Sequence, residues 1–391
     1  MKRILFIIDK FYPQKTAITN CLESIFEELK NQKIIVDVLT YKQDKNLKNN
    51  ELINDINIFR VNDYYNMSNN VFFKKTVLRI YRKLFFKRKM IKEGKKLLKR
   101  NKYDDVIACS YPFLMEEIAY EITKNTKCFF ISYQFDPYAN NRILNEKDKN
   151  KRLKKEIKIL CNASKVFLPK ENYEENMKTG LKILKGKYYP IDFALIKEKK
   201  EKIISLEDDK IIFAFTGTFY NSIRMPFNML DFFKSINIPF KIIICYGGYE
   251  LVDNILNEYK QFFKDNLILF KNKPKEECDK ILNEANIIIN IGNEIANQIP
   301  SKVFEYISLG KPIVNFFSIQ NDTSKKVLKN YPLVLNIYKE YTIEDVKRFE
   351  FFCQKNRNII LPFNDATKNY KTANEIAKEF IKEVEKCNEN K

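Results

Sequence analysis

The segment from Asn286 to Phe316, NIIINIGNEIANQIPSKVFEYISLGKPIVNF, restricts the fold of this chain more than any other. Ile287 to Ile291 is an apolar run of strand length, Gly292 to Gln298 a polar loop, Ser301 to Leu309 a short helical stretch and Ile313 to Phe316 a second apolar run. Gly310 suits the left-handed position just past a helix end, and Pro312 prevents the helix from continuing. Strand, loop, helix and strand in this order predict a parallel sheet, and such sheets bind ligands at the carboxyl edge of their strands. The helix amino terminus faces the loop with unbonded N–H groups that favour an anion. Ser301, Lys302 and Glu305 stand about one turn apart, so their side chains can converge on one ligand. A phosphate and a sugar hydroxyl match that chemistry.

The run Pro300-Ser301-Lys302-Val303-Phe304-Glu305-Tyr306, followed by Gly310-Lys311-Pro312, resembles the donor-binding signature of GT-B glycosyltransferases of the family-4 type. The resemblance implies that this segment lies in a carboxyl-terminal domain and binds a nucleotide sugar, with Glu305 holding the ribose hydroxyls. It extends the donor site to Gln298, Ser301 and Lys302. The family often carries a second glutamate eight residues before the first, directed at the transferred sugar. That position is Asn297 here, which can bond a hydroxyl but carries no charge.

Histidine is absent from the 391 residues, which excludes Ser-His-Asp triads, Cys-His dyads, HExxH metalloproteases and histidine-ligated zinc. The eight cysteines are scattered without a CxxC pair, a distribution that suits buried free thiols in a reducing cytoplasm. Eight glycines leave little room for a glycine-rich phosphate cradle, so helix termini and basic side chains must serve instead. The apolar run Ile4 to Ile8 is shorter than the ~7–15 residues of a signal-peptide core. No run approaches the ~18 apolar residues of a membrane span. The expected location is cytoplasmic, with peripheral attachment to the inner face of the membrane.

That attachment is read from charge. Of the formal net charge of +20, the stretch 74–102 holds fourteen basic residues and one acid, Glu93. Residues 72–101 read as one long basic helix with an apolar stripe at Phe73, Val77, Tyr81, Leu84 and Ile91. It can dock on anionic lipid headgroups at ~1 kcal/mol per cation, or be a solvated helix packed by its stripe. Without a recognisable binding module, nucleic acid is not an expected partner.

The first domain is expected over 1–200. Arg3 to Ile8, a helix from Thr16 to Asn31 and Ile34 to Leu39 make a βαβ opening. Its first loop, Asp9 to Thr16, is either a plain connection or a site loop of a kind that lies near donor and acceptor in many GT-B enzymes. Further strands fall at Asp105 to Ser110 and Cys128 to Tyr133, the second running into Tyr133-Gln134-Phe135-Asp136-Pro137-Tyr138. Asp136 is placed to touch an acceptor or transfer a proton, or else to cap a turn before proline. The aromatic-Asp-Pro turn resembles one in related bacterial polysaccharide transferases.

Lys197 to Lys210 is the expected linker, and the second domain is expected over 201–365. It opens with the strand Ile211 to Phe215 and a loop bearing Gly217 and Arg224. Glycine lets a backbone approach a ligand, and arginine can grip a diphosphate with a planar fork. By the resemblance, both serve the donor pyrophosphate. The tail, 366–391, reads as a helix that by resemblance crosses back to the first domain.

The expected fold is α/β: a GT-B pair of doubly wound, Rossmann-like domains facing a cleft. By resemblance the chain moves a sugar from a nucleotide-diphosphate donor to a glycan or lipid-linked acceptor, with retention. The chemistry would rest on stabilising the departing diphosphate, with Asp136, Arg224 and Lys302 as catalytic residues and no metal or organic cofactor. The alternatives are an epimerase or phosphorylase on the same fold, and a non-catalytic nucleotide-sugar-binding scaffold.

Overall fold

Apolar runs alternating with amphipathic helices build two sheets in a computed structural model that describes residues 2–13, 16–42, 44–62, 81, 85–141, 144–198, 210–221 and 223–389. The first sheet contains β1 (Arg3–Ile8), β2 (Ile35–Lys42), β3 (Asn50–Ile53), β4 (Ile56–Asn62), β5 (Asp105–Ser110), β6 (Phe129–Gln134), β7 (Lys165–Leu168) and β8 (Tyr188–Pro190). Their order is β3-β4-β2-β1-β5-β6-β7-β8. The second contains β9 (Ile211–Thr218), β10 (Phe240–Gly247), β11 (Leu267–Lys271), β12 (Ile287–Ile291), β13 (Ile313–Phe317) and β14 (Val334–Tyr338), in the order β11-β10-β9-β12-β13-β14. Strand pairing is parallel except in the β3–β4 hairpin at the edge of the first sheet.

The helices of the first half are α1 (Ala17–Asn31), α2 (Lys87–Arg100), α3 (Leu114–Thr123), α4 (Glu146–Leu160) and α5 (Lys170–Asn176). Those of the second are α6 (Phe227–Phe233), α7 (Glu250–Phe263), α8 (Lys275–Glu284), α9 (Lys302–Leu309), α10 (Thr323–Leu328), α11 (Ile343–Asn356) and α12 (Phe363–Thr367). The chain ends in α13 (Ala373–Glu389). Two compact units result, Met1–Ala194 with Ala373–Lys391, and Leu195–Thr372. Within the first unit α13 packs on α1 and β6. Lys165 Nζ donates to Glu383 Oε2 at 2.5 Å, and the Tyr189 hydroxyl to Glu379 Oε1 at 2.8 Å. Most of the expected linker lies outside the described residues.

Local chemistry sets the element ends. Thr16 caps α1 in a reciprocal box with Thr19, and Thr342 caps α11 with Asp345, each satisfying amino-terminal N–H groups. Twelve of the thirty residues of the expected basic helix lie outside the described residues, Phe73, Val77 and Leu84 among them. In the described part, Phe86, Met90, Gly94 and Leu97 are buried, and Tyr81 and Ile91 of the expected stripe pack half-buried against the same core. Gly94 permits this, because a Cβ there would stand 3.0 Å from Ile122 of α3. The opposite face of α2 exposes Arg88, Lys89, Lys92, Lys95, Lys96, Lys99 and Arg100. Among the described residues, no helix is long and apolar enough to cross a membrane.

Several polar groups are buried in the sheets. Glu116 of α3 accepts from the Ser132 hydroxyl at 3.2 Å, and burial pushes its carboxyl up to about 8. Glu156 of α4 accepts from Gln134 Nε2 and Ala139 N, each at 3.0 Å, and burial pushes it up to about 7. In the second sheet the side chain of Asn290 donates to Asn315 at 2.7 Å, and that of Asn315 to Asn336 at 2.8 Å, across β12, β13 and β14.

Candidate functional site

Strand order reverses in the second sheet between β9 and β12, so a crevice opens beyond the carboxyl ends of these two strands. The loop after β9 folds back on itself through paired backbone bonds between Tyr220 and Arg224, at 3.0 and 2.9 Å. Its Arg224 points Nε and Nη2 at the Thr218 carbonyl, at 3.2 and 2.9 Å, which fixes the guanidinium at the strand end. Burial lowers its pKa below the ordinary value, yet a guanidinium keeps its proton in proteins. Glu294 N donates to Ile223 O at 2.7 Å and joins this loop to the loop after β12. Gly217 has a packing role: a Cβ there would lie 2.9 Å from the Phe215 ring.

A cluster of opposite charges lies on α9. Ser301 is its N-cap residue, with no capping bond from its side chain. Glu305, in the first turn, accepts at Oε2 from Lys302 Nζ at 3.0 Å and from Lys275 Nζ at 2.9 Å. Burial would raise this carboxyl, but the charges of Lys302 and Lys275 outweigh it and hold it at about 2. Lys275 is the first residue of α8, just past Pro274. It was not a sequence candidate, since a lysine in a lysine-rich stretch carries no sign of a partner thirty positions away.

Two further contacts fix α9. Buried Tyr306 donates its hydroxyl to Thr216 O at 2.7 Å, tying the helix to the end of β9. Gly310 adopts the left-handed conformation at φ 69°, and a Cβ there would lie 2.3 Å from Leu361 O. Lys311 turns away from the crevice: its Nζ donates to Asn283 O and, at 2.5 Å, to Ala285 O, which caps the end of α8. Burial lowers its pKa to about 8.

The loop after β12 is shaped from beneath. A Cβ on Gly292 would lie 2.2 Å from Asp322 Oδ2, so only glycine lets this acid sit under the loop. Asp322 caps α10 by accepting from Lys325 N at 2.7 Å, and burial pushes its carboxyl up to about 6. The Gln298 carbonyl accepts from Asn293 Nδ2 and Thr323 Oγ1, both at 2.9 Å, and neighbouring Asn297 is buried. Sequence reading missed Asp322, whose one local sign is the Asp-Thr-Ser-Lys start of a short helix.

Gly217, Arg224, Asn297, Gln298, Ser301, Lys302 and Glu305 therefore lie in the second unit on β9, α9 and the loops after β9 and β12. Asp136 lies in the first unit, half-buried two residues past β6. Glu156 holds its turn from both sides through Gln134 and Ala139. Tyr138 stacks on Phe113 with ring centroids 4.1 Å apart, and Arg152 lies 5.0 Å from the Tyr138 ring centroid. The loop after β1 is held at two points: Thr40 donates to Asp9 O and Arg60 to Tyr12 O, both at 2.9 Å. Gln14 and Lys15 lie outside the described residues.

No family model matches the chain, and no curated protein matches its sequence. Solved structures do match over nearly the whole length. Sucrose-phosphate synthase from Thermosynechococcus elongatus superposes with a TM-score of 0.76 at 12% identity, covering 100% of both chains. Anabaena HepE in complex with UDP-glucose gives 0.66 at 9%, covering 99% of this chain and 100% of that one. A UDP-GlcNAc 2-epimerase from Methanocaldococcus jannaschii gives 0.58 at 13%, covering 98% and 99%. The fold is that of the GT-B glycosyltransferases.

Proposed function

We propose that this chain is a glycosyltransferase that takes a sugar from a nucleotide-diphosphate donor and passes it, with retention, to a glycan or lipid-linked acceptor in cell-surface polysaccharide synthesis. The observation that carries the reading is the buried Glu305 carboxylate held between Lys275 and Lys302 at the switch point of the second sheet. A carboxylate that stays ionised accepts ribose hydroxyls, and the two ammonium groups beside it suit a diphosphate. HepE, of the same fold, holds UDP-glucose.

In this reading Arg224, Lys302 and the amino terminus of α9 oppose the charge that develops on the leaving diphosphate. Ser301 and Gly217 shape the phosphate side, while Asn297 and Gln298 face the transferred sugar. Asp136 serves the acceptor or a proton transfer in the first unit. The exposed cations of α2, as part of the basic stretch 74–102, hold the enzyme on an anionic membrane beside lipid-linked acceptors.

The test is a binding panel of nucleotide-diphosphate sugars followed by product analysis with the best-bound donor. Transfer to an added acceptor supports the proposal. A second reading, epimerisation, is favoured by the similarity to a UDP-GlcNAc 2-epimerase. Conversion of the donor sugar without an acceptor would establish it instead. Donor binding without either reaction would leave a scaffold, the outcome that the uncharged Asn297 invites.

A further inference from the structure

The turn that carries Asp136 is gripped by one buried carboxylate. Glu156 is 1% exposed, and its oxygens accept from the two ends of the turn, Oε1 from Gln134 Nε2 and Oε2 from Ala139 N, each at 3.0 Å. One helical turn earlier on α4, Arg152 Nη1 donates to Tyr138 O at 3.4 Å. On the strand side Phe135 N donates to Ser110 O at 3.1 Å. These bonds close around Asp136 and Pro137 from both directions. The chain then runs into the wall of a cavity of about 500 Å³, where Ala139 and Asn140 meet Asn150 of α4, Glu175 of α5 and Thr179. Amide, carboxylate and hydroxyl groups around such a cavity suit a ligand rich in hydroxyls.

We propose that Glu156 is a positioning residue for the acceptor: its ionised carboxylate holds the Asp136 turn and the adjoining cavity wall in the form that binds an acceptor sugar. The proposal rests on the glycosyltransferase reading above, in which Asp136 serves the acceptor.

An ionised carboxylate accepts at both oxygens, whereas a protonated one turns one of them into a donor. Either Gln134 Nε2 or Ala139 N then faces an O–H, and that end of the turn loses its bond. Stability runs the other way. Burial pushes the Glu156 carboxyl up to about 7 from an ordinary 4.5, against the lowering by the bonds from Gln134 and Ala139. A raised folded-state pKa gives stability that is full below about pH 4.5 and lost as pH rises through 7. The form that grips the turn is therefore the form that the fold tolerates less, which sets Glu156 apart from a group that serves stability alone. Glu116 of α3, Tyr138 in the turn, Tyr188 of β8 and Arg152 on the same helix face Glu156. Burial pushes Glu116 up to about 8 and Tyr138 to about 12, and raises Tyr188 as well, so all three titrate above Glu156. Glu117 of α3 is paired with Lys87 and Lys155.

The grip is read by hydrogen–deuterium exchange at the Ala139 amide, corrected for the intrinsic rate at each pH. The acceptor role is read by kinetics with the best-bound of UDP-glucose, ADP-glucose and GDP-mannose as donor and p-nitrophenyl glycosides as acceptors. At pH 7.5 Glu156→Gln should exchange faster at Ala139 and raise the acceptor KM about tenfold, the usual scale for one charge-assisted contact. Its donor affinity by calorimetry should stay within about twofold of wild type, and it should melt no lower. Taking wild type from pH 7.5 to 6 should move exchange and acceptor KM toward the variant, whose own values stay flat. Equal protection of Ala139 in both proteins overturns the grip. Faster exchange with an unchanged acceptor KM overturns the acceptor role. A variant that melts well below wild type and loses donor and acceptor binding together shows an ordinary structural residue, which also overturns it. Wild type that transfers to no acceptor withdraws the acceptor role together with the reading it rests on, while exchange still decides whether Glu156 grips the turn.

Discussion

Replacing Glu305 by glutamine separates the carboxylate's charge from its size. Its pKa is held at about 2 against an ordinary 4.5, a difference of roughly 2.5 units that corresponds to about 3 kcal/mol of preference for the ionised form. The sign follows from the direction of the shift. A folded-state pKa below the unfolded one contributes stability that is present above about pH 4.5 and lost as pH falls toward 2. Glu305→Gln should therefore cost about 2–3 kcal/mol in urea unfolding at pH 7, and the gap from wild type should narrow below about pH 4.5. Binding should respond as well. The amide presents a donor where the carboxylate accepted, and Lys302 loses the carboxylate that it shares with Lys275, which keeps only Asp279 at 3.6 Å. Calorimetry with a nucleoside diphosphate and its 2′-deoxy analogue reads the ribose contact: wild type should distinguish the two ligands, and the variant should bind both weakly. A stability gap that widens on acidification would refute the electrostatic account. Tighter binding by Glu305→Gln would show that the carboxylate competes with the diphosphate for its lysines and does not hold ribose.

Arg224→Ala and Lys302→Ala should each weaken donor binding ten- to a hundredfold, since one charge-assisted contact is worth ~1.5–3 kcal/mol; unchanged titrations in both would place the diphosphate elsewhere. Glu116 has a raised folded pKa of about 8, so the stability of its protonated form is full below about pH 4.5 and lost as pH rises toward 8. Glu116→Gln, which stays neutral, should match wild type near pH 4 and exceed it on the order of 3–5 kcal/mol at pH 9 in thermal melts; parallel curves would count against this. Gly310→Ala should lose at least about 2 kcal/mol, from the left-handed backbone and the clash with Leu361 O, as measured by chemical denaturation. Liposome flotation should recover the protein with acidic lipids at low salt and lose it at high salt; equal recovery with neutral lipids would dismiss the cationic surface as a membrane contact.

Period and punctuation made the sheets legible. The run Ile287–Ile291 is a strand with the expected ends, Gly310 takes the left-handed turn, and Arg3–Ile8 and Asp105–Ser110 fall where their apolar runs place them. The β3–β4 hairpin left little trace, because Asn50–Ile53 is an edge strand with a mixed pattern of exposure rather than a buried run. The tail expected as a helix over 366–391 is divided instead, into Phe363–Thr367 and Ala373–Glu389, with Thr372 ending the second unit. In the site, the order of residues along α9 was readable because neighbours on a helix are close in sequence. Lys275 and Asp322 were not, because each meets its partner through tertiary packing, and a lysine or aspartate in a polar stretch looks like any solvated charge. Lys311 shows the converse: it belongs to the recognisable Gly-Lys-Pro block but closes off a neighbouring helix.

The row of asparagines across β12, β13 and β14 bears on how the second sheet finds its alignment. Parallel strands rich in Ile, Val and Phe offer many nearly equivalent ways to slide past one another, and a shift of one residue turns every side chain to the opposite face. Asn290 stands opposite Asn315, and Asn315 opposite Asn336, so their amides can join only when all three strands are in step. Any slipped alignment would strand a buried amide among hydrocarbons at a cost of ~1–3 kcal/mol for each polar group left unbonded. The three residues act as an index mark, and α9, which runs between β12 and β13 and carries Lys302 and Glu305, is placed by it.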